Sequence, residues 1–122
     1  MKHTLLLNRE SQVVAPEIGS FQAAAANADW AKAPGFGVVL TDQPGEKSWP
    51  ITGASFILLR KTAEKPESAR QALDFFRWAY GRGGAIAAAI DYVPMPEPVV
   101  GLIEATWETV KQPDGRPVWH GS

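Results

Sequence analysis

The sequence predicts an α/β protein rich in helices and short of strands, with a sheet that its own residues leave incomplete. Phe56 to Leu59 is an uninterrupted apolar run, the pattern of a strand buried on both faces and lying between covering helices. Helical patterns fill much of the remaining chain. Only two weak apolar stretches, at residues 4–7 and 12–15, offer themselves as pairing partners. A lone buried strand leaves its backbone donors and acceptors unpaired. The missing neighbours are therefore expected from a larger α/β protein, or from an oligomer that completes the sheet.

Taken in order, residues 4–7 read as a short strand, and Gln12 to Ala15 as its partner in a small hairpin around Asn8 to Ser11. A helix is expected from Ile18 to Lys32 on the alanine-rich run Phe21 to Ala26, with Ser20 as N-cap and Pro34-Gly35 as terminator. Residues 35–45 read as loop, with Val38 to Leu40 as an apolar patch and Gln43-Pro44-Gly45 as a turn. Pro50 fixes its own φ and pushes Trp49 toward extended backbone. Gly53, Ala54 and Ser55 then leave room for another backbone or a ligand ahead of the Phe56–Leu59 strand, which ends on Arg60 and Lys61.

Pro66 suits the first turn of the clearest helix, with Glu64 and Glu67 at the positive end of its dipole. Ala69, Ala72, Leu73, Phe76, Ala79 and Tyr80 share one face, Arg70, Asp74 and Arg77 the other, and Gly81 is expected to stop it. A second run covers Ala85 to Ile90, followed by extended Asp91 to Pro96. A last helix is expected from about Pro98 to Lys111, burying Val99, Leu102, Ile103, Trp107 and Val110. Pro113-Asp114-Gly115 turns out of it into a short tail that reads as polar.

A chain of 122 residues is one domain's worth, and 45% hydrophobic residues are enough to bury a core. The formal net charge of −1, with basic residues scattered, gives no footprint for nucleic acid or an anionic membrane. The absence of cysteine removes disulfides, thiolate metal sites and cysteine nucleophiles. Leu5-Leu6-Leu7 is too short for the apolar stretch of a signal peptide, so neither an export signal nor a membrane span is expected in the sequence as it stands.

Val14-Ala15-Pro16, Phe21 to Ala25, Ala28-Asp29-Trp30, Trp49 to Thr52, Phe56-Ile57-Leu58, Phe75 to Tyr80 and Asp91 to Pro96 occur in one order from about Thr4 to Pro117. In that order and spacing the chain resembles the C-terminal portion of the periplasmic phosphate-binding proteins of bacterial phosphate ABC transporters. The resemblance implies part of a two-lobed, type II periplasmic-binding-protein fold, helix-rich with few strands and an incomplete sheet. It implies that residues 1–50 are a remnant of the second lobe: a strand or hairpin, an alanine-rich helix and a loop. Residues 51–122 would form the crossing strand plus C-terminal helices that complete the first lobe. It further implies inorganic phosphate as ligand, the transporter's membrane subunits as partners, a periplasmic location, no cofactor and no enzymatic activity. In that family the phosphate-holding hydroxyls, amides, arginine and aspartate come from an earlier part of the chain, so the ligand set is expected outside this sequence.

Candidate site residues are correspondingly few. Arg82-Gly83-Gly84 reads as a helix-to-helix turn in which the glycines supply positive φ, in preference to an anion-binding nest. Thr52 and Ser55 read as hydroxyls that satisfy local backbone in preference to a ligand. Arg60 and Lys61 read as a solvated strand exit. His3 and His120 have no carboxylate spacing suited to a metal or a catalytic pair, and Glu104 and Glu108 read as one solvated helix face. The five tryptophans read as core and lobe-packing residues. No nucleophile–base pattern and no phosphate-cradling glycine motif is present, so no catalytic residue and no metal ligand is expected. A non-enzymatic binding component is the leading reading; the alternative is an interaction fragment that pairs its unpaired strand with itself or with another chain.

Overall fold

The computed structural model describes residues 3–120. It is a helix-rich α/β arrangement in which the chain divides into two compact units. One holds the described residues up to Ser55 together with Val93–Val99; the other holds Phe56–Tyr92 and the described residues from Val100 onward.

In the first unit, β1 (Leu6–Leu7) and β2 (Val13–Val14) pair antiparallel, Leu6 opposite Val14 and Leu7 opposite Val13. Asn8 builds the turn between them. Its Oδ1 accepts the backbone N–H groups of Glu10 and Gln12, each at 3.0 Å, while Ser11 takes left-handed backbone at φ 58°. The Asn8 Nδ2 donates to the carbonyls of Gly45, Glu46 and Ser48 at 2.9–3.2 Å, fixing the loop ahead of Trp49 to the hairpin.

Helix α1 (Ile18–Ala26) is shorter than its alanine-rich pattern suggests, and Ser20 is not its N-cap. Glu17 holds the cap position in extended backbone. Ser20, a turn inside, accepts the Glu17 N–H at 3.1 Å and donates to the Ala15 carbonyl at 2.6 Å. At the other end, Asn27 Nδ2 donates to the Ala23 carbonyl at 2.9 Å and the Trp30 indole N–H to the Ala25 carbonyl at 2.7 Å. Those carbonyls are satisfied by side chains, so the helix ends well before Lys32. Ala24, Ala25, Ala28, Trp30, Leu40, Trp49 and Val99 are buried in this unit. The Trp49 ring lies 6.0 Å from that of Phe21, and its backbone N–H donates to the Ser20 carbonyl. Gln22 donates to the Pro94 carbonyl at 3.0 Å.

The second unit is organised on α2 (Pro66–Arg82), which opens on Pro66 as expected. Its apolar face lays Leu73, with Ala69, Phe76 and Tyr80 around it, against Ala63, Trp107, Val110, Val118 and Trp119. Gly81 does not stop it: the helix runs on to Arg82, and the Gly83 N–H closes the last turn on the Ala79 carbonyl at 2.9 Å. Helix α3 (Gly84–Ala89) follows directly. Helix α4 (Glu97–Trp107) supplies Val99 to the first unit and Ile103 and Trp107 to the second.

Helix α4 also stops earlier than its apolar spacing suggests, and Leu102 is 43% exposed where burial was expected. The hydroxyls of Thr106 and Thr109 donate to the carbonyls of Ile103 and Thr106, both at 2.6 Å, and compete with helical continuation. Beyond them Lys111 pairs in parallel with Thr62 and antiparallel with Pro117, and Val118 donates to the Val110 carbonyl at 2.9 Å. Gly115, at φ 86°, makes the reversal that this needs. The polar reading of the tail is thereby corrected: Val118 and Trp119 are 6% and 7% exposed and complete the second core.

The largest correction concerns Phe56–Leu59. The segment is neither laddered nor buried: Phe56 and Ile57 are each 50% exposed, Leu58 93% and Leu59 38%. Among the described residues, no backbone group from Phe56 to Arg60 has a hydrogen-bond partner. The apolar pattern is a strand's, but the described residues provide no neighbouring strand to pair with it.

Candidate functional site

Each candidate from the sequence falls in a distinct local setting. Thr52 is buried, and its hydroxyl donates to the Trp49 carbonyl at 2.9 Å. Ser55 is exposed. Both belong to the first unit, whereas Arg82 and Gly83 belong to the second. Arg82 is exposed in the last turn of α2. Gly83 has φ −79° and ψ −9°, and Gly84 is the first residue of α3, so the turn does not use the positive φ expected of its glycines. Glycine is needed at 83 for a different reason: a Cβ there would stand 2.6 Å from the Ala79 carbonyl oxygen.

His3 and His120 are exposed, and no group of three or more metal-ligating side chains occurs among the described residues. Glu104 and Glu108 do not share a helix face, because α4 ends at Trp107. Glu108 is exposed, while Glu104 is half-buried. Burial, aided by the nearby Glu104 charge, raises the Tyr80 phenol above its ordinary value. On the surface of the first unit, Lys32 donates to Asp29 at 2.7 Å. That bond holds the Asp29 carboxyl below its ordinary value and Lys32 above its own. Both side chains are solvated, so the pair contributes little. Four of the five tryptophans are buried; Trp78 is 48% exposed and stacks on exposed Phe75 at 6.0 Å.

The feature with recognition chemistry is the Phe56–Arg60 backbone. It presents N–H donors and C=O acceptors along an apolar stretch that lies shortly before Thr62, which is paired with Lys111. The sequence signals it through its strand deficit, but places it in a core.

No protein-family model matches the chain. A phosphate-binding protein PstS of Pasteurella multocida is 52% identical over 115 residues, covering 93% of this chain and 33% of its own length. A PstS of Haemophilus influenzae is 50% identical over 104 residues, covering 85% of this chain and 31% of its own length. One from Xylella fastidiosa is 44% identical over 107 residues, covering 88% and 29%. The chain is a partial PstS-type sequence. It spans about a third of the length of these curated relatives. The similarity to PstS covers so much of the chain that it takes in residues of both compact units. No helix among the described residues is long and apolar enough to cross a membrane.

Proposed function

We propose that this chain is the C-terminal portion of the phosphate-binding component of an ABC-type phosphate import system, acting outside the cytoplasmic membrane as a non-enzymatic binder. Its identity of 52% to the Pasteurella multocida PstS over 115 residues carries the reading. Residues 1–50 belong to the second lobe of a type II periplasmic-binding-protein fold. Residues 51–122 return to the first lobe, with the segment after Pro50 as the crossing.

The ligand residues lie outside this sequence. A dehydrated phosphate needs several converging donors and a charge-assisted arginine. Thr52 spends its hydroxyl on Trp49, and Arg82 is a surface residue of the other unit. The chain alone is therefore expected to show no saturable micromolar heat when titrated with inorganic phosphate.

The deciding experiment is a chimera in which the matched third of the Pasteurella multocida PstS is replaced by this sequence. Phosphate affinity within about tenfold of that relative's is expected, a change of no more than ~1.4 kcal/mol. A folded chimera, with a cooperative melt, that fails to bind phosphate overturns the proposal.

A further inference from the structure

We infer that Phe56–Leu59 is a cleavage segment, at which an endoprotease with a large apolar primary pocket cuts this chain after Phe56 or Leu58. The inference stands apart from the phosphate reading, because it uses only the segment's own backbone and side chains. The residues that carry it, Phe56 to Arg60, all belong to the second unit.

An endoprotease holds its substrate as a strand through main-chain hydrogen bonds, and it selects the bond by the side chain that enters its primary pocket. Most backbone in a folded protein is already hydrogen-bonded, so a cut waits on local opening. From Phe56 to Arg60 there is nothing to open. No backbone group there has a hydrogen-bond partner among the described residues. The stretch runs without helix, turn or bend, and every residue in it is exposed. Leu58, 93% exposed, and Phe56, 50% exposed, offer the pocket large apolar side chains.

Much of the other exposed apolar surface sits on backbone already engaged. Leu7 lies in β1, Phe75 and Trp78 in α2 and Ile86 in α3, and the Val39 carbonyl accepts the Gln43 Nε2 at 2.7 Å. The basic residues that follow the segment are less well placed for a pocket that takes lysine or arginine. The Lys61 carbonyl accepts the Lys111 N–H, and the Ala63 N–H donates to the Lys111 carbonyl, both at 2.8 Å. Ala63 is part of the second core. A cut after Arg60 or Lys61 has to pull that pairing apart, whereas a cut after Leu58 leaves it whole.

The step is hydrolysis. One water adds across the Leu58–Leu59 bond: the C–N bond breaks, the Leu58 carbonyl carbon takes the hydroxyl as a new carboxyl group, and the Leu59 nitrogen takes the proton as a new amine. The bond after Phe56 opens in the same way.

The test exposes the full chain to chymotrypsin and, separately, to trypsin, well below its melting temperature, and identifies the first products by intact mass. Each rate is scaled to that of the same bond in a free peptide of residues 50–65. Chymotrypsin should cut first after Phe56 or Leu58, at a rate within about tenfold of the peptide's, because no opening precedes the cut. Trypsin should cut after Arg60 and Lys61 more than about tenfold below the peptide's rate, because the Lys111 pairing must open first. A variant carrying Ile57→Pro and Leu59→Pro should lose both chymotryptic cuts and keep its thermal melt, since the two N–H groups removed have no partner. A first chymotryptic cut outside Phe56–Arg60, or slower cutting than expected within it, overturns the inference. So do simultaneous cuts along α2, which mean that the whole second unit opens, and trypsin cutting as freely as in the peptide.

Discussion

Trp119 stands edge-on to Trp107, ring centroids 5.2 Å apart and planes 88° apart, so the last described turn of the chain closes the core of the second unit. Tyr80 stacks on Trp107 at 6.4 Å, and the Arg77 guanidinium lies 5.8 Å from the Trp119 ring centre. Edge-to-face aromatic pairs add ~0.5–1.5 kcal/mol beyond the area they bury.

Replacing Trp119 by alanine should therefore cost the second unit about 3–5 kcal/mol, the range for emptying a buried aromatic site. Urea unfolding followed by tryptophan fluorescence reads this directly. A loss below about 1 kcal/mol, too small for an emptied aromatic site, would show that the tail is not part of the core.

Asn8 makes five hydrogen bonds with one side chain, three donated to the 45–48 loop and two accepted from its own turn. Asn8→Ala leaves those partners unsatisfied and is expected to destabilise by about 2 kcal/mol or more. The loss should appear as faster amide exchange at Glu10 and Gln12, whose N–H groups lose their acceptor.

Gly81 and Gly83 are expected to respond oppositely to alanine. Gly81 lies inside α2, and a methyl group added there meets no atom within 4 Å, so Gly81→Ala should stabilise by ~0.5–1 kcal/mol. At Gly83 the methyl meets the Ala79 backbone oxygen at 2.6 Å, a clash that no side-chain movement can relieve. Gly83→Ala should lower the melting temperature, and equal shifts for both variants would refute the steric reading.

Tyr80 gives the pH dependence. Burial, then the Glu104 charge, disfavours its phenolate, so its folded value lies above the ordinary 10.0. Between the unfolded and folded values the unfolded chain holds fewer protons, so stability falls as pH rises. The contribution is intact below about pH 10 and lost as pH climbs through the folded value. In a Tyr92→Phe background, the phenolate absorbance of Tyr80 should appear above about pH 10, and Glu104→Gln should bring it part of the way back.

Much of the local structure was legible in the residues. The hairpin at Asn8–Ser11, Pro66 opening α2, the Leu73 face and the Pro113–Gly115 turn follow from side-chain chemistry within a few positions of each. Helix ends were not legible, because partners decided them: Trp30 on the Ala25 carbonyl, and the threonine hydroxyls at the end of α4. Gly83 stands out in the sequence for the wrong reason, since close approach to Ala79, not positive φ, demands it.

By itself the sequence determined helix-rich α/β character, a sheet too short of strands, and the ordered pieces that resemble phosphate-binding proteins. Only the tertiary structure decided that the tail is core and that Phe56–Leu59 stands in solvent. The physical reason is the same for both. Periodicity reports which residues would gain from burial, whereas burial itself requires a surface to meet. Trp119 has Trp107, and Phe56–Leu59 has no pairing strand among the described residues.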